Sequence, residues 1–133
     1  MKRIVRKFLG RKARPRRPEA PALPPEIEEI RQGALKGQHL QIVQWGQVLL
    51  DSVHVPRDPA GALEWFTIAA SAGFGPGHNM RGRCFQFGWG CEKDLQQAAQ
   101  CYAAAAAAGD EWGRYNLGIL TMRGIGMDAD LPR

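Results

Sequence analysis

The chain has no long hydrophobic run and few cysteines, and both scarcities narrow the classes of protein to which it can belong. No apolar stretch approaches the roughly 18 residues that a membrane-spanning helix needs. The basic N-terminus lacks the uninterrupted apolar segment and the cleavage site of a secretory signal, which predicts a cytoplasmic protein. Three cysteines, Cys84, Cys91 and Cys101, are an odd number without metal-ligand spacing. We therefore expect buried free thiols rather than a disulfide framework.

Groups that could carry catalysis or hold a cofactor are also scarce. The three histidines, His39, His54 and His78, lie in different parts of the sequence and form no catalytic grouping. Cys84 and Cys91 follow His78 at spacings of six and seven residues, whereas zinc ligands usually come in close pairs. The glycines resemble turn residues rather than a phosphate-binding loop, because no Lys-Ser or Lys-Thr follows them. The sequence thus predicts no enzyme, no metal and no cofactor.

Positive charge is concentrated at the N-terminus. Residues 1–17 contain nine of the 18 Lys and Arg residues and no Asp or Glu. Residues 18–133 contain the other nine basic residues and all 13 acidic ones, and their formal charge is therefore −4. The pI of about 9.5 therefore describes the arm and not the body of the protein. The basic residues of the arm are Lys2, Arg3, Arg6, Lys7, Arg11, Lys12, Arg14, Arg16 and Arg17.

A proline-rich segment follows the arm. Five prolines between Pro15 and Pro25 disfavour a regular helix or an inner strand. We expect residues 1–25 to be a disordered arm and linker, and residues 26–133 to be folded. Apolar residues among the basic ones, from Ile4 to Leu9, form a short amphipathic stretch that suits an anionic membrane surface. A solubilising tail is an alternative, and nucleic acid has less support because no aromatic platform accompanies the charge.

The most informative feature is an internal repeat. Residues 58–93 align without a gap with residues 94–129, and ten of the 36 positions are identical. A weaker copy precedes them, which gives repeats at about 22–57, 58–93 and 94–129. The residues that define the repeat are small or aromatic, apart from one helix cap: Ala62, Phe66, Ala69, Ala70, Gly73, Gly82, Gly88, Gly90, Asp94, Ala98, Tyr102, Ala105, Ala106, Gly109, Gly118, Gly124 and Gly126.

Each repeat predicts two helices that form a hairpin. Asp58 and Asp94 are typical N-caps for the first helices, and Gly73 and Gly109 are typical residues to end them. The second helices are predicted to begin near Pro76 and after Asp110, and the weaker copy predicts helices at 26–36 and 39–51. Small residues at 105 and 106 are expected to let the two helices of a hairpin approach closely, with Gly82 and Gly118 on the opposing helices.

This order of residues resembles the Sel-one-like repeat, a helical family related to the tetratricopeptide repeat. The resemblance rests on the spacing A-x-x-x-[aromatic]-x-x-A-A-x-x-G, followed by G-x-x-x-x-G and G-x-G-x-x-x-D, in two consecutive repeats. It implies an all-α, right-handed superhelix of about three helix-turn-helix repeats. It further implies a non-enzymatic adaptor that binds a protein or peptide on its concave face. The alternative function is a tether to a membrane or nucleic acid through residues 1–17.

The resemblance also implies that the first helices line the concave face. Residues between their packing positions would then meet the partner, namely Glu64, Ile68, Gln100 and Ala104. Trp89, between two turn glycines, and Trp112, in the first turn of its helix, could be exposed anchors for a partner. Either tryptophan could equally fold back over a neighbouring hairpin.

The final helix is predicted to be only partly covered. Leu117 and Leu120 lie on one side of it, and Ile119 and Met122 lie on another. A following repeat would normally cover some of these side chains, and an exposed apolar patch usually marks an interface. We therefore expect self-association or partner docking through the C-terminal repeat.

Overall fold

Six helices make up the described part of the chain. The computed structural model describes residues 22–125, and within that range the helices alternate with short turns and no strand occurs. The predicted all-α fold and the helix pairs are confirmed. The basic arm, Gly126 and the residues after it lie outside the described residues. The helices are α1 (Pro25–Leu35), α2 (His39–Asp51), α3 (Pro59–Ser71), α4 (Gly75–Phe87), α5 (Leu95–Ala107) and α6 (Glu111–Met122).

The helices pair into three hairpins, each with a first helix (α1, α3, α5) and a second helix (α2, α4, α6). Asp58, Asp94 and Asp110 cap the N-termini of α3, α5 and α6. Each aspartate accepts a hydrogen bond from the backbone N–H three residues later, at 2.9, 3.1 and 2.8 Å. These bonds satisfy amides that have no partner within the helix. The predicted caps at Asp58 and Asp94 are therefore confirmed.

Glycine ends the first helices, as predicted. Gly73 and Gly109 have φ angles of +79° and +87°, a region in which other side chains are strained. The amide of Gly73 donates to the carbonyl of Ala70, and the amide of Phe74 donates to that of Ala69. This pair of bonds is the Schellman motif, and it turns the chain directly into the second helix.

Small residues bring the two helices of each hairpin together. A Cβ atom built on Gly77 would lie 2.6 Å from the Cβ of Ala69, and one built on Gly113 would lie 2.4 Å from the Cβ of Ala105. The first hairpin reverses the arrangement, since Gly33 occupies the alanine position and a Cβ there would lie 2.4 Å from Cγ of Gln41. The predicted close approach at Ala105 is therefore correct, but its partner is Gly113.

Gly82 faces a different neighbour from the one predicted. A Cβ on Gly82 would lie 2.6 Å from Cε1 of Tyr102, which belongs to the following hairpin. In the same way, a Cβ built on Gly46 would lie 2.4 Å from Cε1 of Phe66. The prediction that Gly82 and Gly118 face the first helix of their own hairpin is wrong. Five residues separate Gly82 from Gly77, which is about 140° around a helix, so the two glycines contact different helices.

Two hydrophobic clusters form the core. Phe66 and Cys84 are fully buried in the cluster that joins the first two hairpins, and Trp45 and Trp65 pack against it half-buried. Tyr102 is fully buried in the cluster that joins the last two hairpins. Each aromatic ring therefore connects a first helix to the second helix of the preceding hairpin.

The second helices lie closer together than the first helices do. Among the described residues, Cα atoms of α2 lie within 8 Å of α4, and those of α4 within 8 Å of α6, whereas α1, α3 and α5 have no Cα atoms that close to one another. A stack whose two layers differ in spacing curves toward the more closely spaced layer. The inner side of the array is therefore built from α2, α4 and α6.

A groove along the second helices

A cavity in the described part of the chain follows the second helices. It has a volume of about 460 Å³ and draws residues from all three repeats. Gln47, Arg83 and Ile119 occupy the same position in consecutive repeats, 36 residues apart, so the groove runs along the axis of the stack. The residues that line it are Gln47, Asn79, Met80, Arg83, Gln86, Phe87, Trp112, Asn116 and Ile119.

Hydrogen bonds between repeats fix the floor of the groove. Asn116 donates from Nδ2 to Oδ1 of Asn79 at 2.9 Å, which joins α6 to α4. Asn79 is only 7% exposed, so its amide is held in one orientation. Gln47 makes a weaker contact from Nε2 to Sδ of Met80 at 3.8 Å, which joins α2 to α4. The amides of Asn79 and Asn116 are therefore held in place within the floor of the groove.

Arg83 is the one charged residue among those that line this groove in the described part of the chain. Its guanidinium carbon lies 5.3 Å from the centre of the Trp89 ring, a favourable cation–π distance. A smaller cavity of about 190 Å³ continues past Arg83 and adds Asp51 and Arg57 to the lining. The lining of the main groove thus contains one positive charge and no acidic side chain, whereas Asp51 and Arg83 both line the adjoining cavity.

Exposed aromatic side chains form one wall of the groove. Trp112 is 69% exposed and Phe87 is 52% exposed, although large apolar side chains are usually covered. Tyr115 meets Trp112 edge-on, with ring centres 6.2 Å apart, which restricts the indole. Tryptophan and arginine are the residue types that most often dominate binding energy at interfaces. The groove therefore combines a fixed polar floor, one cation and accessible aromatic area.

The structure brings together only some of the residues that the sequence predicted to bind a partner. Trp112 lines the groove. Trp89 is half-buried, lies 5.0 Å from the Phe87 ring centre and borders the smaller cavity. The other four lie on α3 and α5, away from the groove: Glu64, Ile68, Gln100 and Ala104.

The groove is on the second helices, where the sequence analysis expected the first. A partner-binding role for the four first-helix residues stays a prediction. Sequence reasoning missed Gln47 and Arg83, although their separation of 36 residues was a usable signal.

The cysteines are single thiols in the described structure. Cys84 and Cys101 are buried and Cys91 is half-buried, so the predicted burial is confirmed for two of the three. Burial raises the pKa of Cys84 to about 12, and it also raises the pKa of Cys91 and Cys101. Within residues 22–125, no three His, Cys, Asp or Glu side chains are grouped so that they could hold a metal. No helix in that range combines the length and hydropathy of a membrane span.

Thiol labelling should distinguish the three cysteines. With a thiolate-specific aromatic disulfide at pH 8, we expect Cys91 to react first, because it is the most accessible of the three. Cys84 and Cys101 should react only as fast as the protein opens. A Cys91→Ser variant should lose the fast phase, which a spectrophotometric time course would measure. A fast phase of two or three thiols would contradict the described packing.

A sequence model of the Sel1 repeat matches residues 43–74, 76–110 and 113–133, well over half of the chain. The chain belongs to the Sel1 repeat family. The first two matched units begin in α2 and α4 and continue through α3 and α5, the first helices of the following hairpins, and the third unit begins in α6. Sel1 repeat proteins are generally scaffolds for protein–protein interaction.

Two solved structures are similar in fold to this Sel1 solenoid. A protective antigen present in uropathogenic Escherichia coli strains, described as displaying an SLR fold, aligns with a TM-score of 0.71 at 28% identity. A Sel1 repeat protein from Oxalobacter formigenes aligns with a TM-score of 0.72 at 22% identity. Each alignment covers 78% of this chain, but only 22% of the antigen and 41% of the Oxalobacter protein. A search of curated proteins found no match.

Proposed function

We propose that this Sel1 repeat protein is a non-enzymatic scaffold that binds an acidic, partly apolar segment of a partner protein in the groove. The observation that carries the proposal is the groove itself, built from equivalent positions of three successive second helices. Its lining contains one cation, four side-chain amides and exposed aromatic area. A peptide laid along the stack would meet all three kinds of group in turn.

The side chains of the groove suit a peptide ligand. Arg83 can form a two-point hydrogen-bonded ion pair with a carboxylate, and the lining of the groove contains no acidic residue. The amides of Gln47, Gln86 and Asn116 can donate to and accept from the backbone groups of an extended peptide. Trp112 and Phe87 offer apolar area to a neighbouring ligand side chain.

The same lining offers little for catalysis. It contains four amides, an arginine and apolar side chains, none of which exchanges a proton near neutral pH. General acid–base catalysis requires a group that titrates near the working pH. The groove therefore supports binding better than chemistry.

A peptide selection with matched variants would test the proposed groove. We expect a random peptide library to yield sequences with an Asp or Glu near an apolar residue. Binding of a selected peptide should weaken at least about tenfold in Arg83→Glu and in Trp112→Ala, as measured by fluorescence anisotropy. The loss in Arg83→Glu should shrink as salt is added, because salt screens the exposed charge.

Variants of the first helices supply the control. Ile68→Ala and Gln100→Ala lie on α3 and α5 and should bind as the wild type does. The opposite pattern, with loss in Ile68→Ala and normal binding in Arg83→Glu, would move the binding face to the first helices. In that case the groove would not be the partner site.

A second candidate function rests on the N-terminal arm. Residues 1–17 carry nine basic residues and no acidic one, with apolar residues interspersed from Ile4 to Leu9. That pattern supports attachment to an anionic membrane surface. The arm lies outside the described residues, so it supports this alternative by its sequence alone.

A further inference from the structure

Glycine recurs at one position of every second helix, and two of the three copies receive an aromatic ring. Gly46, Gly82 and Gly118 are 36 residues apart. Phe66 packs on Gly46 and Tyr102 packs on Gly82, so closely that a Cβ atom would overlap each ring. Both rings are fully buried. The missing side chain of each glycine thus forms a notch that an aromatic ring of the next first helix fills.

Among the described residues, nothing fills the third notch. Gly118 is exposed, and no atom of residues 22–125 would lie within 4 Å of a Cβ atom built on it. Tyr115 and Met122, three residues before and four residues after it, are 61% and 88% exposed. Arg114 and Thr121 complete this side of α6 and are exposed as well. We call this surface, formed by Arg114, Tyr115, Gly118, Thr121 and Met122, the α6 end face.

One residue expected on the exposed side of α6 lies elsewhere. Leu120 is fully buried in the core cluster with Tyr102, so the prediction that it adds to an uncovered apolar side is wrong. Leu117 is half-buried against the same cluster. Leu120 takes the position of Cys84 in the preceding repeat, which also points into the stack. The open surface therefore centres on Gly118 and Met122.

The residue four positions after each glycine is chemically suited to the ring that fills the notch, apolar for phenylalanine and a hydrogen-bond acceptor for tyrosine. Leu50 follows Gly46 and shares a core cluster with the phenyl ring of Phe66. Gln86 follows Gly82 and accepts a hydrogen bond from the hydroxyl of Tyr102. Met122 occupies this place after Gly118. Because a thioether is a weak acceptor, a tyrosine hydroxyl there would lose its partner, and a phenylalanine would lose nothing.

A small residue accompanies each ring. Ala62 and Ala98 precede Phe66 and Tyr102 by four residues, one helical turn away, and both are fully buried. A Cβ on Gly82 would lie 3.2 Å from the backbone oxygen of Ala98, so the helix backbones come close together. A helix that fills such a notch needs an alanine-sized residue one turn before its aromatic ring.

We propose that the α6 end face is a second docking site, which binds an amphipathic helix of a partner protein through a phenylalanine seated on Gly118. The helix carries a small residue four positions before that phenylalanine. This site is separate from the groove, and its test does not depend on the groove.

Other occupants fit the notch less well. The outer surface of α1 from a second copy would present Glu26 and Ile30 at the positions of Ala62 and Phe66. A buried, unpaired carboxylate is costly, so α1 is a poor ligand for this face. Residues 126–133 contain no aromatic side chain.

A peptide from this chain can serve as the probe. The synthetic segment 58–73 carries Ala62 and Phe66 with its own cap at Asp58, and it fills the equivalent notch at Gly46. We expect a fluorescent form of the peptide to bind the full wild-type chain. Its affinity for the Gly118→Leu variant should be at least about tenfold lower, because the added side chain occupies the notch. Ala103→Leu, on the exposed surface of α5, is the matched control and should bind normally.

A change of specificity makes the test sharper. The Phe66→Tyr form of the peptide should bind the wild type about five- to tenfold more weakly than the phenylalanine form. Met122→Gln should remove or reverse that preference, because it restores the acceptor that Gln86 supplies to Tyr102. Equal binding to Gly118→Leu and the wild type, or no binding at about 1 mM peptide, would overturn the proposal. A wild-type dimer in sedimentation velocity that Gly118→Leu abolishes would make a second copy the occupant and would also overturn it.

Discussion

Replacing Tyr102 with alanine is expected to lower the free energy of unfolding by about 3–5 kcal/mol. The ring is fully buried between the second and third hairpins, where its removal leaves a cavity that the helices can only partly close. The loss should appear as a lower urea midpoint in far-UV circular dichroism. Because hairpins of a repeat array contact only their neighbours, the third hairpin should unfold first.

Tyr102→Phe is the control for this substitution. It keeps the ring and removes only the hydroxyl that donates to Gln86, so we expect a loss of about 1 kcal/mol. Equal effects of the two substitutions would show that the hydrogen bond, and not the filling of the Gly82 notch, stabilises this junction. A loss below about 1 kcal/mol in Tyr102→Ala would contradict the described packing.

The same substitution at two equivalent glycines is expected to have opposite effects. Gly82→Ala should lower the free energy of unfolding by about 1–3 kcal/mol, because the new methyl group would overlap the Tyr102 ring in a packed core. Gly118→Ala should raise it by about 0.5–1 kcal/mol, since alanine favours a helix more than glycine does and no atom of the described residues lies within 4 Å of the new group. Chemical denaturation of the two variants beside the wild type would measure both.

Gly46→Ala extends the comparison. It should behave like Gly82→Ala, because Phe66 lies where its methyl group would go. Equal stability of all three alanine variants would contradict the described difference between the filled notches at Gly46 and Gly82 and the open notch at Gly118. If Gly118→Ala destabilised the protein, atoms would have to occupy the α6 end face already.

Local signals in the sequence were sufficient to predict the hairpins. A cap such as Asp94 and a stop such as Gly109 act through bonds within a few residues, so their effect can be read without knowing the rest of the fold. The neighbour of each glycine could not be read in this way. A period of 36 residues shows that Gly82 and Gly118 are equivalent, but it does not say whether their partner lies in the same hairpin or in the next one.

The position of the groove depended on geometry between repeats. The buried positions of a helix follow from its pattern of small and apolar residues, whereas the direction in which the stack curves depends on how closely each layer packs. Glu64 and Gln100 could be interpreted as partner contacts only by assuming which layer is concave, and that assumption came from the resemblance. Arg83 was missed because an arginine on a helix is usually a solvated residue, and only the curvature places it inside the groove.

The reversed pair of residues in the first hairpin limits how this protein could be recombined with itself. Gly33 opposes Gln41 there, whereas alanine opposes glycine at Ala69 and Gly77. A chimera that joined α3 to α2 would set Ala69 against a glutamine with no room for it, and one that joined α1 to α4 would set two glycines against each other over a void. Single helices are therefore not interchangeable between the first hairpin and the others, and the smallest unit that can be exchanged, by design or by duplication, is the whole hairpin.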